Sequence, residues 1–115
     1  MQTELTPTIA EMNKVVAKYM GWEVLGSYDK ITHERKRIIR VNIYGYWEEY
    51  NSLDGDWNVL HYIWNKVREQ PIQKDLLRVA ASQFIYGTPL KTLIALYNCI
   101  IFINQLKENN ANKSI

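Results

Sequence analysis

The sequence predicts an α+β domain, a small antiparallel β-sheet packed by three to four helices. Three observations carry that prediction. Apolar residues recur at helical spacing near both ends of the chain, in "IAEMNKVVAKYM" and "LKTLIALYNCIIFI". Between them, "RIIRVNIYGYW" alternates with a period of two, the pattern of a half-buried strand. The chain has 115 residues, 47% hydrophobic and 23% charged, which suits one compact domain with a real core.

The first helix is expected over residues 7–20. Thr8 and Glu11 have the spacing of a capping box, in which hydroxyl and carboxylate each satisfy an orphan backbone N–H. Thr6-Pro7 is a competing start, with proline at the first helical position. Ile9, Met12, Val16, Tyr19 and Met20 form the apolar stripe, and Gly21 ends it. Residues 22–28, "WEVLGSY", are rich in β-branched and aromatic side chains and read as a short strand. Residues 29–35 are polar, a loop or hairpin tip.

The alternating segment 37–47 reads as one strand. Ile39, Val41, Ile43 and Trp47 share one face, and Arg40, Asn42, Tyr44 and Tyr46 the other. Gly45 marks a bulge or a close backbone approach. A second helix is expected over 56–70, with Trp57, Leu60, Trp64 and Val67 entering the core and Pro71 stopping it. Residues 76–86 fit a helix through Leu77, Ala80, Ala81 and Phe84, but their end, "SQFIYG", also fits a strand. Thr88-Pro89 repeats the cap-then-proline signature. A last helix follows over 90–108, apolar on more than one side and therefore buried. The domain is expected over 1–110, with 111–115 a frayed polar tail.

Composition narrows the function. A net charge of +2 is too small to argue for nucleic acid by itself. The single cysteine, Cys99, cannot form an internal disulfide and sits in an apolar run, as a small buried hydrophobe does. The opening "MQTELTPTIAEM" lacks the basic start and apolar run of a signal peptide. The apolar run 93–103 is shorter than the ~20 residues of a membrane span. A cytoplasmic protein with no membrane partner is expected.

Three clusters are candidates for chemistry. In "EYNSLDGDWNVLHYIW" (49–64), Asp54 and Asp56 have oxygen ligands for a hard cation, with Glu48, Glu49 or His61 to join them. Capping explains the same residues, because aspartate is among the best N-cap side chains. The calcium-loop pattern fails, since Gly55 falls between the two aspartates. His61 near a carboxylate suits a general base, but no motif supplies a serine or cysteine nucleophile. The basic run "HERKRIIR" gives Arg35, Lys36, Arg37 and Arg40, which with Tyr44 and Tyr46 make a candidate surface for a phosphate backbone and stacked bases. The competing explanation is a charged hairpin edge that resists pairing with other chains. Whether Tyr44 and Tyr46 lie in the core or on the surface depends on whether helices cover one face of the sheet or both.

The order of elements, with "IAEMNKVVAKYMGWEV", "YNSLDGDWNVLHYIWNKVRE" (50–69) and "KTLIALYNCIIFINQLKENN" (91–110), resembles the phage ABA-sandwich domain family. The Asp-Gly pair at 54–55 is additional to that family's shorter loop, and 70–86 reads more helical than the strands the family has there. The resemblance implies a small accessory protein of phages, prophages and mobile elements, with no catalytic residues to carry over. The expected function is therefore non-enzymatic: binding of a protein partner or of a second copy as a homodimer, without cofactor or metal. A nucleic-acid-binding protein using 35–40 is the alternative, and a metal-dependent enzyme at 54–61 the third.

Overall fold

A computed structural model describes residues 7–43 and 45–113, with the side chains of 27–29, 34–37 and 110–113 outside the description. The fold is α+β, four helices and a three-stranded antiparallel sheet. The chain runs α1 (Ile9–Met20), β1 (Glu23–Asp29), β2 (Glu34–Ile43), β3 (Tyr46–Tyr50), a 3-10 turn (Leu53–Gly55), α2 (Trp57–Val67), α3 (Lys74–Tyr86) and α4 (Pro89–Lys113).

Local chemistry sets the ends of α1. The Thr8 hydroxyl accepts from the Glu11 N–H at 3.1 Å, so capping at Thr8 fixes the start. Gly21 closes the helix at φ 77°, a left-handed position that suits a residue without Cβ. Met12, Val16 and Ala17 are buried on one side. Asn13 is buried beside them, at 5% exposure, and serves as a bridge. Its amide donates to the Ser52 hydroxyl at 2.9 Å, and its carbonyl oxygen accepts from the Leu53 N–H at 2.9 Å.

The sheet is a meander in the order β1-β2-β3. The segment expected as one strand over 37–47 is instead two, and this changes the faces. Ile43 pairs with Tyr46, so the chain reverses between them, with Gly45 at φ 84°. The glycine serves a tight hairpin rather than a bulge. Positions i and i+3 then share a face, and the parity of everything after the turn is inverted. Tyr46 joins the side of Ile39, Val41 and Ile43, while Trp47 pairs with Asn42 on the side of Arg40. The β1–β2 connection turns through residues 30–33, where His33 takes φ 57°.

The helices pack on one face of the sheet. Ile39 and Val41, each 1% exposed, meet Val16, Leu60, Ile63 and Leu96 in one core. Trp22 seals the edge of this layer: its indole N–H donates to the Asn42 carbonyl at 3.3 Å, and its ring stacks on Tyr62 of α2 at 6.0 Å. The other face, with Glu23, Leu25, Arg40, Trp47 and Glu49, carries no helix among the described residues.

The ambiguous stretch 76–86 is helical. α3 lies against α4, buries Ala80, and ends at Gly87, where an added Cβ would meet the Gln83 carbonyl oxygen at 2.9 Å. Thr88 caps α4, accepting from the Lys91 N–H at 3.2 Å, with Pro89 in the first turn as expected. By length and composition residues 89–109 would suffice to cross a membrane. In this fold the helix is the centre of the core, with Leu93, Leu96, Cys99 and Ile100 fully buried. The helix continues to Lys113, into the stretch expected as a frayed tail, and 114–115 lie outside the described residues. The Cys99 thiol donates to the Leu76 carbonyl of α3 at 3.6 Å, and burial pushes it up to about 11.

Candidate functional site

Asp54, Asp56 and His61, adjacent in the sequence, have different local partners in the structure. The Asp54 carboxylate accepts from the Ser52 hydroxyl at the edge of the 3-10 turn. Asp56 is the N-cap of α2, its Oδ1 accepting from the Asn58 N–H at 2.9 Å. The His61 ring lies 4.4 Å from Phe84 of α3 and 6.5 Å from Trp57. Among the described residues no three His, Cys, Asp or Glu side chains come together as a metal would need. Trp57, expected in the core, is 38% exposed. It stands at the first position of α2, ahead of the buried stripe of Leu60, Ile63 and Val67, and its ring meets Phe84 at 5.9 Å.

A cleft of about 420 Å³ opens between β3 and α2 on the helix-covered side of the sheet. The hairpin supplies one wall, Tyr46, Glu48 and Tyr50, which alternate onto the inner face because of the inverted parity. The other wall is a helical stripe, Asn58, His61, Tyr62 and Asn65. Val41 and Ile43 complete the lining from β2. At its mouth the Tyr50 hydroxyl donates to Glu48 Oε2, and Asp56 Oδ2 lies 3.3 Å from the same oxygen. The Glu48 hydrogen bond, burial and the two negative charges all hold the Tyr50 phenol above its ordinary range, so it keeps its proton. No lysine or arginine lines the cleft, and among the described residues neither Glu48 nor Asp56 has an ion-pair partner.

The expected surface of Arg35, Lys36, Arg37, Arg40, Tyr44 and Tyr46 is not a single patch. Arg40 is on the open face, its guanidinium 3.7 Å from Glu23 and 5.3 Å from the centre of the Trp47 ring. Tyr46 is on the opposite face, at the cleft, 74% exposed. Arg35, Lys36 and Arg37 pair along the backbone with Tyr28, Ser27 and Gly26, and their side chains lie outside the described ones. Tyr44 lies outside the described residues. The open face instead centres on Trp47, half exposed, with Leu25 41% exposed beside Ile38. The reading of 37–47 as one strand put Trp47 on the wrong face. The available signal was Tyr44-Gly45 between two alternating runs, a short hairpin signature.

No family model, curated protein or solved structure matches this chain.

Proposed function

We propose that this is a non-enzymatic binding protein of the phage or mobile-element accessory type, working in the cytoplasm through protein–protein contact. Its contact surface is the open face of the sheet, and its first partner is a second copy of the same chain. One observation carries the reading: Trp47 is half exposed on the sheet face turned away from the helical core, at an edge it shares with Met20, Tyr62 and Lys66, and holds Arg40 against its ring. Tryptophan and arginine dominate the energetics of protein interfaces, and a tryptophan is seldom left on a bare sheet face without use. The charges favour a copy over a partner of one sign. Across the face run Glu23, Arg40 and Glu49, acid, base, acid, in register. A strongly basic or strongly acidic partner meets like charge there, whereas a two-fold pairing of identical mixed faces can place each arginine near an acid.

Sedimentation velocity over a concentration series tests this. The expected result is a dimer that dissociates on dilution and that Trp47→Ser weakens while the melting temperature stays near that of the parent. A monomer at every concentration, or a dimer indifferent to Trp47→Ser, removes the proposal.

A further inference from the structure

We propose that the cleft between β3 and α2 is a second binding site, one that takes the guanidinium of an arginine side chain from a partner peptide. The cavity comes first. About 420 Å³ is within the range of ligand pockets, and this one is bounded by a hairpin and a helix rather than by loops. Its chemistry selects a cation. The chain as a whole is positive, at +2, yet the described residues of this cleft include two carboxylates and no lysine or arginine.

The geometry selects a planar cation in particular. Glu48 and Asp56 come from different elements and converge on one hydroxyl, that of Tyr50. That hydroxyl has a single proton, which goes to Glu48. Asp56 Oδ1 is taken by the Asn58 N–H, and Oδ2 is left with a phenol oxygen that has no second proton to give. A guanidinium has five donors in a fixed fork and can bridge two carboxylates, which an ammonium does less well. Tyr46, Tyr50 and Tyr62 supply ring surface for its flat face and its three-carbon stem. Asn58 and Asn65 remain as amide partners for the peptide backbone.

This site lies across the sheet from the Trp47 face, so it can succeed or fail independently of the homodimer. The experiment is a two-dimensional amide NMR titration of the whole chain with acetyl-arginine-N-methylamide. Saturating shifts confined to Tyr46, Glu48, Tyr50, His61 and Asn65 are expected. Affinity should fall about tenfold in Glu48→Gln, the loss typical of a charged hydrogen bond. Asp56→Asn should also weaken it, and this change keeps the helix cap because asparagine caps as well as aspartate. The matching citrulline compound, equal in shape but uncharged, should give no saturation. A citrulline response equal to that of arginine overturns the proposal, as does the absence of saturation or an affinity unchanged in both variants. Methylguanidine binding as tightly as the arginine compound overturns the peptide assignment and makes this a free-cation site.

Discussion

Ile39 and Arg40 are neighbours on β2 but occupy different environments. Ile39 is 1% exposed among the helices, whereas the Arg40 side chain is 40% exposed on the uncovered face. The same contrast separates two tryptophans. Trp22 is 7% exposed, hydrogen-bonded through its indole and stacked on Tyr62, while Trp47 is 50% exposed and touches a guanidinium. The difference shows that close packing is concentrated on one face of the sheet and exposed aromatic and charged side chains on the other. The inner face is held by close packing, where deleting atoms leaves a cavity. The outer face has little buried surface to lose.

Four substitution pairs or variants can break that comparison, and the tryptophans offer the largest effect. Trp22→Ala should cost ~3–5 kcal/mol in denaturant unfolding, as buried aromatics do. Trp47→Ala should cost about 1 kcal/mol or less in the monomer. Equal losses would mean the outer face is part of the core. Next, Ile39→Ala should lose ~2–5 kcal/mol and Leu25→Ala under about 1 kcal/mol. A large loss at Leu25 under dimer-forming conditions, absent on dilution, would sharpen the comparison by placing Leu25 in the interface. At the start of α2, Asp56→Ala should cost ~1 kcal/mol and Asp54→Ala only a few tenths, because Asp56 holds the helix N–H. The reverse order would move the cap.

The smallest effect shows only in alkaline solution. The Cys99 thiol is raised from its ordinary value of 9.0 to about 11, so the folded state holds this proton more tightly than the unfolded chain. Its contribution is complete below pH 9 and is lost between about 9 and 11. The stability advantage of the parent over Cys99→Ala should therefore shrink across that window, read by urea melts at a series of pH values. A constant difference would mean the thiol is not held in a dry core.

How much of this was legible in the sequence depended on the range of the interaction. Thr8, Asp56 and Thr88 act within a few residues of themselves, so spacing pointed to these caps, with Thr6 competing for α1 and Asp54 for α2 until the hydrogen bonds decided between them. The α+β class followed from two periodicities. α3 was ambiguous because it buries little, with Ala80 at its centre while Val79, Ile85 and Tyr86 stay exposed, so its pattern is weak. The hairpin was missed because alternation continues on both sides of Gly45, and composition does not record that a two-residue turn shifts the phase. That one omission hid both candidate sites. It kept Glu48 and Tyr50 from being seen beside Tyr46, and it placed Trp47 on the face of Ile39, Val41 and Ile43.

Asn13 carries a consequence for the time order of folding. Its amide joins α1 to Leu53, 40 positions further along the chain. At translation rates of 5–20 residues per second, α1 leaves the ribosome roughly 2–8 s before that partner exists. During this interval Asn13 lacks Ser52 and Leu53, the helix has only β1 and β2 of its sheet to pack on, and it is too short to persist alone in water. α1 is thus fixed in place only after elements made later than it. The nascent chain must keep an apolar helix face from other partners until residues 52–53 arrive to fix its position.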